Sequence, residues 1–138
     1  MAKDLRALMR GLQPAIREGK CFIGTFPESQ IMGLANHLDS IICIFREKEG
    51  LTAVFMEEAK EALSLYTERK IEGPFALITL GVESPLSSVG LLAAVSAALA
   101  KEGIACNAFS AYFHDHLLVP YEKREAALVV LRKLEKSA

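Results

Sequence analysis

The sequence predicts an α+β fold made of two tandem modules, the first an abbreviated copy of the second. Two observations predict it. Short apolar runs of strand character alternate with longer runs of helical spacing, and the same element order occurs twice along the chain. The copies also superpose at two internal shifts. A shift of 55 residues puts Phe22-Ile23 on Leu77-Ile78 and Glu28-Ser29 on Glu83-Ser84, and a shift of 65 puts Val54 on Val119 and Ala62-Leu63 on Ala127-Leu128.

Taken in order, Leu5 to Leu12 reads as an amphipathic helix of two turns, with Leu5, Leu8 and Leu12 on one side. Cys21 to Phe26 reads as a strand. The difference between the two shifts leaves the first half about ten residues short at this point. Pro27 to Asp39 is therefore expected to hold one turn or a short helix. Ser40 to Arg46 and Leu51 to Met56 form a hairpin about the turn ending at Gly50, and Glu57 to Leu65 is a helix. Tyr66 to Pro74 is polar and ends in Gly-Pro, a natural junction.

In the second half Phe75 to Val82 reads as a buried strand and Ser84 to Glu102 as a helical run, with Val89, Leu92, Val95 and Leu99 on one face. Gly103 stands where a C-terminal cap favours glycine. Ile104 to Ser110 and His114 to Val119 read as two strands joined around Ala111 to Phe113. Pro120 opens a last helix with Leu128, Leu131 and Leu134 facing inward. The order strand–helix–strand–strand–helix is the split βαβ arrangement of ferredoxin-like modules. The boundaries expected are 1–70 for the degenerate first module and 71–138 for the second.

The 138 residues are 51% apolar and 24% charged, enough apolar material to fill a core and too much for a disordered chain. Sixteen Lys and Arg against seventeen Asp and Glu give no electrostatic footprint for nucleic acid, and no polybasic run suggests a membrane surface. Mean hydropathy is +0.26, but the most apolar stretch, Val89 to Ala100, is too short to cross a bilayer. The N-terminus lacks the continuous apolar region of a signal peptide, so a cytoplasmic protein is expected. Cys21, Cys43 and Cys106 are far apart, odd in number and set in apolar runs, and read as small buried hydrophobes rather than disulfide or metal ligands.

The stretch Val89-Gly90-Leu91-Leu92 through Leu99-Ala100-Lys101-Glu102-Gly103-Ile104 resembles an ACT domain, which carries Gly-Leu at the start of its first helix and Leu-Ala-x-x-Gly-Ile at its end. Ser110-Ala111-Tyr112, His114 to Pro120 and Ala126-Ala127-Leu128 resemble the aspartokinase-like subgroup of these domains. The whole chain is similar to small stand-alone bacterial proteins of two tandem ACT modules, whose C-terminal module is related to those of cytosolic arginine sensors. The resemblance is strong over Phe75 to Leu134 and weaker over Asp4 to Leu65. Where many ACT domains have Pro-Gly at the loop-to-helix corner, this chain has Val89-Gly90 after an extra Ser84-Pro85-Leu86-Ser87-Ser88. The resemblance implies regulation by binding a small molecule, typically an amino acid, without catalysis or a cofactor.

The residues suit that chemistry. A helix N-terminus presents unpaired N–H groups to a carboxylate, so the backbone of Val89, Gly90 and Leu91 is the expected anion site. Ser84, Ser87 and Ser88 add hydroxyls, although Ser84-Pro85 reads equally as a helix N-cap with proline at the first position. The strand from Ala105 to Phe109 can offer carbonyls, and Asn107 an amide, to an ammonium group. Asp115 either shares the face of Phe113 and Leu117 beside the ligand pocket, where it would accept an ammonium, or is a turn residue.

His114 and His116 alternate with Asp115 and share a face, a spacing that allows two metal ligands but names no third. The plainer expectation is that both face solvent or a subunit contact. Nucleophile elbow, Walker loop, GxGxxG and HExxH motifs are absent from the sequence. The sequence is thus compatible with an amino-acid-binding regulatory protein, a dimerisation module with a vestigial pocket, or a metal-dependent enzyme using His114 and His116. Exposed sheet edges on small modules lead to the expectation of a homodimer.

Overall fold

A computed structural model describes residues 4–138; Met1 to Lys3, counted above with the first module, lie outside the described residues. The elements in chain order are α1 (Leu5–Arg10), β1 (Pro14–Ile16), β2 (Cys21–Phe26), α2 (Ile31–Ala35), β3 (Ile41–Glu47), β4 (Gly50–Met56), α3 (Lys60–Leu63), β5 (Glu72–Leu80), α4 (Leu91–Lys101), β6 (Asn107–Ser110), β7 (Asp115–Pro120) and α5 (Arg124–Ser137). Single 3-10 turns precede α2, α3 and α5.

The chain divides into two compact units, and the division differs from the boundary drawn on the sequence. Residues 19–74 form one unit; the other joins the described residues up to Glu18 to Phe75–Ala138. The reason is a strand not expected from the sequence. β1 pairs antiparallel with β5, with Ala15 opposite Thr79, and Leu8 and Leu12 are buried in one cluster with Ile78, Leu99 and Leu131. Three residues with proline at their head carry too little alternation to announce a strand.

Within this larger unit β5 pairs with β7 and β7 with β6, all antiparallel. With β1 on the other side of β5, the order β1-β5-β7-β6 is that of a ferredoxin-like sheet whose last strand comes from the N-terminal side of the chain. Helices α4 and α5 supply Leu91, Val95, Leu99, Ala127 and Leu131 to its core. In the 19–74 unit β2 pairs with β4 from Cys21 opposite Met56 to Phe26 opposite Leu51, and β4 pairs with β3. Its core gathers Phe22, Phe26, Leu34, Phe55 and Leu63. The short helix α2 lies in the stretch in which the sequence lacks room for a longer one.

Two expectations about α4 are corrected. The helix begins at Leu91 rather than Ser84, because Gly90 at its N-cap has φ +102 and the preceding residues form an irregular loop. Ser84-Pro85 is therefore not its cap. The buried face is Leu91, Val95 and Leu99, spaced four apart, while Leu92 is half-buried and Val89 is 87% exposed. None of the three cysteines forms a disulfide: Cys21 is buried, with its thiol 3.5 Å from the Met56 sulfur, and burial raises the thiol pKa of half-buried Cys43 and Cys106. No helix among the described residues is long and apolar enough to cross a membrane.

Candidate functional site

The loop between β5 and α4, the N-terminus of α4 and the β6–β7 hairpin enclose a cavity of about 210 Å³. Each wall has a local cause. Gly90 in the left-handed region turns the loop into α4, a conformation that costs most side chains about 1–2 kcal/mol. The first bond inside the helix runs from the Ala94 N–H to the Gly90 carbonyl at 2.9 Å. The N–H groups of Leu91, Leu92 and Ala93 thus have no carbonyl within the helix, and the Gly90 position offers no side-chain cap. All three residues line the cavity.

Opposite them stands Asp115. It is the first residue of β7, opposite Ser110, and it shares the sheet face of Leu117 and Val119. Of the two readings open on the sequence, the structure thus has the strand residue. Its side chain is 7% exposed, lines the cavity, and accepts a hydrogen bond from the Ser84 hydroxyl at 3.3 Å. The cavity therefore combines helix N–H groups, which favour an anion, with one carboxylate, which favours a cation.

Of the residues expected at a ligand site, Ser84, Gly90, Leu91 and Asp115 come together here. Val89 does not line the cavity: in the loop just before Gly90 it is 87% exposed. Asn107 does not either. On β6 it alternates with Ser110, which does line the cavity, so the amide stands on the opposite face of the strand and is exposed. Ser88 is present and Ser87 is not, and the strand contributes through Ser110 and Ala111 rather than through Ala105 to Phe109. Leu92, Ala93, Ser110 and Ala111 were missed. Only the helix start, shifted seven residues by the loop, would have pointed to the first two.

The histidines lie elsewhere. His114 is in the hairpin turn, its Nδ1 3.3 Å from the Val82 carbonyl, and His116 is on β7, its Nδ1 2.9 Å from the Thr79 hydroxyl. Both are half-buried rather than solvated, and Phe113, whose face one reading gave to Asp115, is 58% exposed with its ring against Tyr112. Burial, then the neighbouring His114, holds the His116 imidazole below its usual pKa, against the opposing pull of Asp115. Among the described residues no group of three or more His, Cys, Asp or Glu side chains converges as a metal site would require.

Comparison with known proteins places these features in a family. ACT-domain models match residues 2–71 and 72–133. No curated protein matches the sequence. Among solved structures, a Vibrio cholerae protein of unknown function described as a possible transport protein is 34% identical, with 95% of each chain covered and a TM-score of 0.77. The ligand-free regulatory subunit of aspartate kinase from Thermus thermophilus is 17% identical over 90% of this chain and 97% of that one, with a TM-score of 0.72. Escherichia coli aspartokinase III in complex with aspartate and ADP is 18% identical over 88% of this chain and 32% of that one, with a TM-score of 0.67. With nearly its whole length matched by two such models and its strands in ferredoxin-like order, the chain belongs to the ACT-domain family and carries two ACT domains in tandem.

Proposed function

We propose that this chain is a non-catalytic regulatory protein that binds a free amino acid in the cavity between Ser84 and Asp115 and works as a cytoplasmic homodimer. One observation carries the reading: the unpaired N–H groups of Leu91, Leu92 and Ala93 and the buried Asp115 carboxylate line the same small cavity. An α-carboxylate matches the first and an α-ammonium the second. Pockets for drug-sized ligands run to about 300–1,000 Å³. A cavity of about 210 Å³ is scaled to something smaller. ACT domains are typically regulatory ligand-binding modules, and Escherichia coli aspartokinase III, in complex with aspartate and ADP, shares the fold.

In this reading residues 1–70 and 71–138 are the two repeated modules of the sequence, with Ser84, Gly90, Leu91 and Asp115 as ligand contacts in the second. Val89 and Asn107 lie outside the cavity. The exposed Leu86, Val89, Tyr112 and Phe113 belong to the loops that border the cavity, which supports the alternative of an interaction module with a vestigial pocket. Thermal denaturation with each standard amino acid separates the two. A ligand that binds only the native state raises the melting temperature. A rise with one or a few amino acids, lost in Asp115→Asn, supports the proposal; no rise with any at millimolar excess favours the alternative. Sedimentation at tens of micromolar, on the order of a working interface's range, tests the dimer.

A further inference from the structure

The cavity between Ser84 and Asp115 carries few charges, and they limit what it can hold. Its polar side chains are Ser84, Ser88, Ser110 and Asp115. The rest of the lining is glycine and apolar residues, and among the described residues no Lys, Arg or His takes part. The one positive feature is therefore the N-terminus of α4, and the one negative feature is the Asp115 carboxylate.

That carboxylate is open to a ligand although the residue is 7% exposed. Ser84 donates to Oδ2, and no group among the described residues donates to Oδ1. Among those residues no side-chain oxygen is both sealed from solvent and unbonded, so Oδ1 keeps accessible surface in the cavity its residue lines. The hydroxyls of Ser88, half-buried in the loop, and of Ser110, exposed at the end of β6, likewise bond no other group among the described residues.

We infer that the cavity selects an uncharged amino acid with a short hydrogen-bonding side chain, of the kind of serine, threonine or asparagine, and turns away charged ones. Granted the amino-acid reading above, on which this rests, the α-carboxylate on the α4 N–H groups and the α-ammonium on Asp115 use both charges of the cavity. A side-chain carboxylate would then meet no cation and be repelled by Asp115, and unpaired charge away from water is costly. A side-chain cation would find no second carboxylate. What remains are the free hydroxyls of Ser88 and Ser110, each able to donate and to accept, which match a hydroxyl or an amide. The volume of about 210 Å³ suits a short side chain.

The test is titration calorimetry on the full chain with L-serine, L-threonine and L-asparagine, each beside an apolar partner of similar shape: L-alanine, L-valine and L-leucine. L-aspartate, L-glutamate and L-lysine complete the set. At least one of the first three should bind saturably, about tenfold or more tighter than its apolar partner and than any charged amino acid. The double variant Ser88→Ala, Ser110→Ala should lose the preference for the hydrogen-bonding member while the apolar partner binds as before, a change that damage to the fold would not produce. Selectivity is overturned if a charged amino acid or the apolar partner binds as tightly as the best of the three, or if the double variant keeps the parent's preference. Binding by an acidic amino acid alone would overturn the selectivity and leave the amino-acid reading standing. No binding by any standard amino acid at about 10 mM, well above a millimolar Kd, would overturn both.

Discussion

Ser84 and Asp115 are joined by a hydrogen bond of 3.3 Å, the serine hydroxyl donating to the carboxylate. The bond ties the loop after β5 to the first residue of β7. It leaves Asp115 with further lone pairs for a ligand in the cavity it lines. Hydrogen bonds to charged groups contribute about 1.5–3 kcal/mol. Asp115→Asn should accordingly weaken an ammonium-bearing ligand by roughly 10- to 100-fold, measured by titration calorimetry. Ser84→Ala should have a smaller effect, since it removes a neutral donor and leaves the carboxylate in place.

The core of the larger unit gives a test of the α4 register. Leu99 is fully buried and Leu92 half-buried. Leu99→Ala should lose roughly 2–5 kcal/mol, the range for a buried leucine that leaves a cavity. Leu92→Ala should lose clearly less. Urea denaturation of both variants checks the order, and equal losses would contradict the face described for α4.

Much of the fold was legible because it depends on local pattern. Cys21–Phe26, the β3–β4 hairpin and α5 follow from apolar spacing and turn residues, and the repeat supplied the topology. Two features were not legible for physical reasons. β1 is too short to show alternation and owes its place to β5, far along the chain, where Ala15 stands opposite Thr79. The start of α4 is not legible because Ser84-Pro85 satisfies a local capping pattern while the Gly90 backbone, in a left-handed conformation no sequence pattern reports, decides the boundary. The candidate site inherits the same split. Residue chemistry singles out Asp115 and Gly90, and both line the cavity; Asn107 does not, because it stands three residues from Ser110 on β6 and so faces the other side of the strand.

The Gly90 conformation has a consequence for mutagenesis. At φ +102 an L side chain is strained whatever the space, and a Cβ would also stand 3.1 Å from Leu5. Gly90→Ala should therefore lose about 1–2 kcal/mol of stability in the absence of any ligand. Gly90→Val, β-branched, should lose more. Chemical denaturation of the unliganded variants measures this, and unchanged stability would mean that the loop adopts another backbone in solution. Loss of ligand binding in either variant is interpretable only after that measurement, which makes Asp115→Asn the cleaner probe of the site.

His116 titrates below the ordinary histidine value of 6.5 because it is half-buried, and because His114 and Arg17 repel its charged form more than Asp115 offsets. A base with a lowered native pKa binds fewer protons folded than unfolded in the window just below 6.5. Stability then rises with pH through that window. The contribution is fully present above about pH 6.5, the unfolded value, and is lost progressively as pH falls toward the native pKa. His116→Gln keeps a polar partner for the Thr79 hydroxyl, which lies 2.9 Å from the ring nitrogen, and removes the titration. Melting temperatures of the parent chain should fall between pH 7 and pH 5, roughly the window that histidine titration spans. The difference between parent and His116→Gln should shift across the same window in the parent's favour as pH rises. Parallel curves for the two proteins would show that His116 is not the group responsible.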